Sequence, residues 1–359
     1  MAETFTASEL VIPGTFIRVR SEGLIGVAGI SAGNVGIVGT ASKGAGDTLI
    51  LSDYEGARAD LGTYDDYKNG AGALNLTRGV ELLYLNGARA VFARPLDPAH
   101  AAQDDYVAAF NELAKDDVNI LVAPQLPTAT ALAVFGAVVE TAENNGKDVM
   151  AVVGSDAVTV PAITAQVPTN DRIIMTAPGI RTFDSAAGAE ATLSGTYTAA
   201  AVAGLLSSLT PQSSPTNKTL PGIVKLSQRF SYGEMRQLVS GRVMVLEARQ
   251  GVRVVRGLTT DNGAFTQVTT RRIVDFAKAG VRKASDPFIG RLNNQRVRAA
   301  LQGAIDGFLT TMVQDEALIA YELQVTATRQ DEIAGRAVVN AVLQPTFSID
   351  FVAVTLVLQ

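Results

Sequence analysis

Short apolar runs recur along the first half of the chain, and their length is that of a strand buried on both faces. They lie at residues 35–41, 118–124, 149–154 and 172–178. Segments with apolar residues at helical spacing, 106–115 and 129–143, stand between successive runs. Because strand, helix and strand alternate, the pattern predicts a parallel sheet with right-handed crossovers.

A further strand is predicted from the sequence LLYLNGARAVFAR at residues 82–94. The apolar start of this segment is typical of a helix, and Asn86-Gly87 is a typical helix end. The β-branched and aromatic residues that follow indicate a strand. The segment therefore predicts helix, cap and strand in succession.

The pattern changes after a polar stretch at residues 212–219, which is rich in turn formers and marks a lobe boundary. Residues 241–247 and 251–260 are predicted to pair as strands around Gln250-Gly251. Two amphipathic helices are predicted next, over 271–283 and 291–313. Their apolar positions are Ile273, Phe276, Ala277 and Val281 in the first helix, and Val297, Leu301, Ile305, Phe308 and Met312 in the second.

Both ends of the chain have the pattern of extended segments. Residues 10–20 contain two short apolar stretches separated by Pro13-Gly14, and we interpret them as an N-terminal arm. Residues 347–359 are predicted as a strand that is apolar on both faces from Phe351 onward, so both faces must be covered. This strand is either central in its own sheet or added to the sheet edge of another copy.

Composition fits a large folded α/β protein. The 359 residues are 47% apolar and 18% charged, with no cysteine, so disulfides and thiolate chemistry are excluded. The first residues lack the basic and apolar pattern of a secretory signal, and no uncharged run offers about 20 continuous apolar residues to a bilayer. We expect synthesis in a reducing cytoplasm and no membrane span.

Positive charge is concentrated in one part of the chain. Residues 225–300 contain 15 Lys or Arg against 5 Asp or Glu, although the whole chain carries a net charge of −5. Such asymmetry favours an acidic partner, either nucleic acid or protein, or else reflects a solvated basic face. With no Trp and only 6% aromatic residues, few side chains are available to stack on bases, and binding of nucleic acid is disfavoured.

One motif points to catalysis. Residues 29–33, GISAG, match the G-x-S-x-G pattern around a nucleophilic serine, here Ser31. The single histidine, His100, would have to serve as its base, but nothing in the sequence brings it near Ser31. An α/β serine hydrolase that uses this pair is one alternative, and a soluble binding protein that does not assemble is another.

Cofactor and metal motifs are missing from the sequence. There is neither a G-x-x-x-x-G-K-[ST] loop nor a G-x-G-x-x-G motif. The paired acids at 65–66, 104–105 and 116–117 contain no histidine, lack the spacing of a two-metal site or a calcium loop, and are typical of helix starts or turns. We therefore predict no catalytic residue, no cofactor and no metal.

Several segments together resemble one family, the contractile tail sheath proteins of phages, R-type pyocins and extracellular injection systems. The opening IPGTFIRV at 12–19 resembles the family's first arm, and VGIVGTASKG at 35–44 is similar to a strand that ends in a GTAPKGP-like turn. Residues 82–94 look like its helix-to-strand turn. The segments from 292 and from 344 resemble its closing helix and strand. The resemblance is strongest over 10–95 and 270–359.

The resemblance implies a mixed α/β, two-lobed sheath fold with extended arms at both ends. The expected division is an N-terminal arm at 1–22, an α/β outer lobe at 23–218, an inner lobe at 219–345 and a C-terminal arm at 346–359. In such sheaths the arms add strands to sheets of neighbouring subunits. The arm residues expected to do so are Ile12, Phe16, Ile17, Val19, Phe347, Ile349, Phe351, Val352, Val354 and Leu356.

The resemblance also implies the partners. The chain would form hexameric rings stacked around an inner tube protein, would meet baseplate and terminal cap proteins, and would contract to drive the tube through a target envelope. The particle would be a phage tail or an extracellular tail-like particle made in bacteria. Our hypothesis for the tube-facing surface is a set of basic residues in the inner lobe, with contacts inside the sheath as the alternative: Lys278, Arg282, Lys283, Arg291, Arg296 and Arg298.

Overall fold

The computed structural model describes residues 30–62, 75–124, 126–184 and 188–357. Strands within these ranges are β1 (Val35–Thr40), β2 (Leu49–Leu51), β3 (Val91–Leu96), β4 (Ile120–Val122), β5 (Met150–Gly154), β6 (Ile173–Ala177), β7 (Ile180–Asp184), β8 (Ala189–Leu193), β9 (Lys225–Leu226), β10 (Val243–Ala248), β11 (Val252–Val254), β12 (Leu318–Thr326) and β13 (Val338–Pro345). Helices are α1 (Tyr54–Leu61), α2 (Leu76–Leu85), α3 (Gln103–Leu113), α4 (Thr128–Asn144), α5 (Val160–Ala165), α6 (Gly195–Ser208), α7 (Tyr232–Ser240), α8 (Val268–Ser285), α9 (Gln295–Gln314) and α10 (Arg329–Ile333).

A large, mostly parallel sheet forms the first lobe, with the strand order β11-β10-β6-β5-β4-β1-β3-β2. Six neighbouring strands run parallel, from β10 to β3, and the edge strands β2 and β11 are antiparallel. The apolar runs predicted as buried strands are β1, β4, β5 and β6, which lie side by side at the centre. The predicted parallel sheet is therefore confirmed.

Helices cover both faces of this sheet, which explains why its strands are apolar on both sides. One face packs against α2 and α6, and the other packs against α3, α4, α5 and α7. Helix α6 is buried almost all round, because it lies between the sheet and α2. Its N-terminus is capped by Ser194, whose hydroxyl accepts a hydrogen bond from the amide of Thr196 at 3.2 Å.

The strands predicted in the second lobe belong to the large sheet instead. β10 and β11 do pair antiparallel, with Gln250 and Gly251 at positive φ in the turn. However, β10 also runs parallel to β6, with Val243 opposite Met175. An apolar strand such as β10 is most stable when it has neighbours on both sides, so the sheet continues past the expected boundary at 218. The polar stretch at 212–219 is a loop of the first lobe.

A smaller second lobe follows from α8. The apolar faces predicted for residues 271–283 and 291–313 pack together in α8 and α9, where Ile273, Ala277, Ile305 and Phe308 form part of a buried cluster. A hairpin of β12 and β13 covers this pair of helices. Sequence reasoning missed the hairpin, although Tyr321, Leu323 and Val325 alternate with polar residues and the three side chains pack on the helices.

Residues 346–357 form no strand in the described chain. The possibility that this segment is a central strand of its own subunit's sheet is therefore wrong. The other possibility, pairing with another copy, stays a prediction.

The close approach of α6 to the sheet gives a test of the fold. A β-carbon on Gly154 would lie 1.6 Å from the carbonyl oxygen of Gly195, so neither backbone can move aside without shifting the helix. We expect Gly154→Ala to lower the free energy of unfolding by about 3 kcal/mol or more, as overpacking does. Urea denaturation measures this change.

Gly136→Ala is the matched control, because a β-carbon at this position in α4 would meet nothing within 4 Å. It should be neutral or stabilise the protein by up to about 1 kcal/mol through helix propensity. Equal effects of the two substitutions would contradict the packing described for α6.

Candidate assembly interface

The hairpin β12–β13 is a sheet with two open edges. Each of its strands has one partner strand among the described residues. One face lies on α9, and the other presents exposed residues that include Ile319 and Val342. Open edges carry unpaired N–H and C=O groups, which makes them acceptors for an additional strand.

The C-terminal segment has the sequence of an apolar strand, but its described residues pair with no other strand. Its predicted arm residues are all largely exposed, and those of the last half are more than two-thirds exposed. The exposed set is Phe347, Ile349, Phe351, Val352, Val354, Leu356 and Val357. A contiguous apolar surface of this kind marks an interaction site in a soluble protein. The N-terminal arm residues Ile12, Phe16, Ile17 and Val19 lie outside the described residues.

A buried ion-pair network joins the two lobes. The guanidinium of Arg172, at the start of β6, is 2% exposed and contacts Asp148 at 2.9 Å and Asp275 of α8 at 3.1 Å. It also donates to Glu143 at the end of α4, at 2.9 Å. Arg271 of α8 contacts Asp275 as well, at 2.6 Å. The network therefore ties α8 to the sheet through charge pairs that water scarcely reaches.

Asp148 is also the acceptor for Lys278 and Arg282 from α8, each at 2.5 Å. Burial raises the pKa of the Asp148 carboxyl, but hydrogen bonds from these two residues outweigh burial and hold its pKa below the ordinary value. For Asp275 burial dominates and raises the pKa despite Arg271 and Arg172. Lys278 and Arg282 of α8 therefore form ion pairs with an acid of their own chain.

Arg272 makes a different contact between the lobes. Its buried guanidinium donates to the carbonyl oxygens of Leu209 and Ala32, both at 2.9 Å, and of Thr210 at 3.3 Å. Leu209 is the C-cap of α6, so the cation satisfies carbonyls at the negative end of that helix. Burial lowers the pKa of this guanidinium.

The six basic residues predicted to face a tube do not share one surface role. Lys278 and Arg282 pair with Asp148, and Arg298 contacts Glu332 of α10 at 3.0 Å. Arg291 lies over the ring of Phe288, with 5.1 Å from the guanidinium carbon to the ring centre. The exposed members beyond the Asp148 pairing are Lys283, Arg291 and Arg296.

Ser31 and His100 are kept apart by the topology. Ser31 precedes β1 and His100 follows β3, and these neighbouring strands run parallel. The two residues therefore lie at opposite ends of these neighbouring strands. The hydroxyl of Ser31 donates instead to the side-chain oxygen of Asn119, at 2.9 Å. The structure gives the hydrolase alternative no support.

A cleft of about 420 Å³ opens between the lobes beside Ser31, Asn119 and Arg272. Its charged lining includes members of the ion-pair network, and acids and bases are mixed. In the described part of the chain, no group of three or more His, Asp or Glu is arranged to hold a metal ion. The same residues contain no helix that is long and apolar enough to cross a membrane.

Two family models match the chain, and they meet at residue 260. The model of the phage tail sheath protein central domain matches residues 99–260, and the model of the phage tail sheath C-terminal domain matches residues 260–359. No curated protein matches.

Solved structures with the same fold are also sheath proteins. The helical sheath of the anti-feeding prophage in its contracted state is 18% identical with a TM-score of 0.77, covering 96% of this chain and 99% of that one. The contracted PVC sheath complex of an extracellular contractile injection system is 17% identical with a TM-score of 0.76, covering 99% and 98%. The sheath tail protein of Desulfitobacterium hafniense is 12% identical with a TM-score of 0.68, covering 93% and 100%.

The fold is the one that these sheath proteins share. The chain belongs to the phage tail sheath protein family. The resemblance inferred from the sequence and the mixed α/β fold are both confirmed.

Removing the central cation of the ion-pair network should destabilise the protein strongly. Arg172→Met keeps most of the side-chain volume but leaves Asp148 and Asp275 buried without this partner. We expect a loss of about 3–5 kcal/mol in the free energy of unfolding, measured by urea denaturation.

Lys115→Met removes an ion pair with Glu112 whose two side chains are 70% and 47% exposed. This control should cost less than about 1 kcal/mol. If Arg172→Met were equally mild, the network would not join the lobes as described.

The network also predicts a dependence on pH. The hydrogen bond from Arg172 lowers the pKa of Glu143 from 4.5 to about 2. A lowered pKa means that the carboxylate stabilises the fold above its unfolded pKa, and that this contribution disappears as pH falls toward 2. Glu143→Gln should therefore be less stable than the parent at pH 6, and the difference should shrink by pH 2.5. Thermal unfolding at both pH values tests this; a constant difference would contradict it.

Proposed function

We propose that this chain polymerises as stacked hexameric rings around an inner tube, and that contraction of the polymer drives the tube through a target envelope. Two features of the same chain carry the proposal. Residues 346–357 are an apolar segment that pairs with no described strand, and the hairpin β12–β13 has two open edges that can receive a strand. Neither can complete its hydrogen bonds within the described chain, and a second copy supplies what each lacks.

Strand pairing of this kind joins subunits without fixing their cores to one another. The backbone hydrogen bonds of an added strand hold copies together, while the ion-pair network keeps the two lobes of each copy as a unit. Cores can then rotate and move outward while the pairing persists. The energy of contraction would be stored in the extended lattice as a bistable arrangement, without a nucleotide.

The inner tube is proposed to contact the loop between α8 and α9. Ile289 and Leu292 are each 80% exposed here, next to the basic residues Arg291 and Arg296. Lys278, Arg282, Lys283 and Arg298, the other candidates predicted from the sequence, remain candidates for the same contact, and three of them also form ion pairs within the chain, Lys278, Arg282 and Arg298. Exposed charge pairs with the tube would be weak enough to release on firing.

The remaining proposed partners are a baseplate and a terminal cap protein. One matched structure is a baseplate of the anti-feeding prophage, which supports contact of a terminal ring with a baseplate. A cap protein at the other end is proposed from the family resemblance alone. We propose a structural role without catalysis, synthesis in the bacterial cytoplasm and assembly into a phage tail or a tail-like particle. The family models meet at residue 260, and we propose the lobe division there.

Deletion of residues 347–359 tests the proposed assembly. Because the removed segment contributes exposed apolar side chains rather than core, the truncated chain should remain folded and soluble but form no cylinders. Electron microscopy and size-exclusion chromatography of the parent and the truncated chain measure this. Cylinders formed by the truncated chain would refute the proposal.

A single substitution in the arm, with a matched control in the first lobe, tests the same assembly without deleting any residue. Val354→Asp places a charge in the arm, and Val158→Asp places one at a 67% exposed valine of the first lobe. We expect the first to abolish or greatly slow polymerisation and the second to leave it unchanged. Equal effects would indicate that any added charge disturbs the particle.

A further inference from the structure

One side chain in the exposed C-terminal segment is buried, and it is an acid. The side chain of Asp350 is 5% exposed, whereas its neighbours Ile349 and Phe351 are 82% and 77% exposed. This reverses the usual order, in which apolar residues are buried and carboxylates are solvated. The segment is therefore held by polar contacts at this point rather than by apolar packing.

Three side chains of other segments hold the carboxylate. Arg256 donates from Nε to one oxygen at 2.8 Å, and Gln267 donates to the same oxygen at 3.2 Å. Thr216 donates from its hydroxyl to the other oxygen at 3.3 Å. Both oxygens of Asp350 are thus occupied, and its charge is balanced by Arg256.

Gln267 also forms hydrogen bonds with the backbone of Ser348, two residues before Asp350. Its side-chain oxygen accepts from the amide of Ser348 at 3.3 Å, and its amide nitrogen donates to the carbonyl of Ser348 at 3.5 Å. This imitates the pair of bonds that a neighbouring strand would make. One residue beyond the carboxylate, Arg256 lies over the ring of Phe351, at 5.1 Å from the ring centre.

Thr216 and Arg256 attach the segment to the first lobe, whereas the hairpin that it leaves belongs to the second. β13 ends at Pro345 on the hairpin, and the amide of Thr346 still donates to Ala317 at 3.1 Å. The residues that hold Ser348 and Asp350 come from the loop after α6, the loop after β11 and the N-cap of α8. Hydrogen bonds thus hold the chain both at Thr346, where it leaves the hairpin, and at Ser348 and Asp350, just before the arm.

We propose that these five residues, the Asp350 clamp (Thr216, Arg256, Gln267, Ser348 and Asp350), fix the direction in which residues 351–357 leave the subunit, so that the arm is presented to a second copy already oriented. The clamp rests on the proposed function, because an oriented arm matters only if another copy receives it. The clamp buries a charged group in a segment that adds no side chain to an apolar core. We therefore expect the clamp to set the position of the arm rather than to stabilise the fold. An arm ordered in advance loses less entropy on pairing and joins faster.

The first measurement concerns orientation in the unassembled chain. Because the sequence has no cysteine, spin labels can be attached at Val354→Cys and Val158→Cys without other changes. The distribution of distances between the labels should be narrow in the parent and broad in Asp350→Ala. Asp350→Asn should be intermediate, because its oxygen still accepts from Gln267 or Thr216 while the charge that pairs with Arg256 is lost.

The second measurement concerns assembly. We expect Asp350→Ala to polymerise about tenfold more slowly than the parent, followed by light scattering, with the thermal midpoint of the core little changed. Asp60→Ala, at an exposed aspartate of α1, is the control and should match the parent in both measurements. If Asp350→Ala folds poorly, Gln267→Met removes the contacts to Ser348 and Asp350 while leaving the Arg256 pair, and should broaden the distances in the same way.

A narrow distance distribution in both clamp variants, or polymerisation at the parental rate, would overturn the clamp while leaving the proposed function intact. Failure of the parent chain itself to polymerise would instead overturn the proposed function, and the clamp with it.

Discussion

Unsatisfied strand backbone is the constraint on which the account depends. An extended segment with apolar side chains on both faces is stable only when something covers it, and a two-stranded hairpin with open edges is an incomplete sheet. Both features occur on this chain, the segment at 346–357 and the hairpin β12–β13. We propose that a lattice of copies covers the apolar segment and completes the hairpin together, because the sheet of one subunit is completed by the arm of another.

The two lobes of the molecule are held together by apolar packing and by buried ion pairs. The large sheet is covered by helices on both faces, and buried charge pairs around Arg172 and Asp148 fasten α8 to it. Ion pairs of this kind contribute little net stability compared with apolar packing, but they cost much to break because each charge would be left buried. Such a link resists relative movement of the lobes, which is what the proposed contraction requires of each subunit.

The sequence was most informative where a residue's surroundings are set by its near neighbours. The runs that became β1, β4, β5 and β6 are apolar on both faces, so their central position in the sheet followed directly, and the apolar faces of α8 and α9 were recognisable from spacing. Contacts between residues that are distant in the sequence were not recognisable from it. Nothing local in the sequence shows that Lys278 and Arg282 pair with Asp148, and nothing local marks Asp350 as buried. The hairpin β12–β13 was missed because apolar residues on its exposed face, Ile319 and Val342, interrupt the alternation of apolar and polar positions.

Cross-linking between two different copies tests the central claim most directly. One chain would carry Val354→Cys and a second, isotopically labelled chain would carry a cysteine at exposed positions of β12 or β13, such as Glu322 or Gln344. The account predicts that polymers grown from a mixture of the two oxidise to covalent dimers joining labelled to unlabelled chains, at alternate positions along one strand edge. Polymers that give no such dimers, or a bond only within one chain that carries both cysteines, would contradict it.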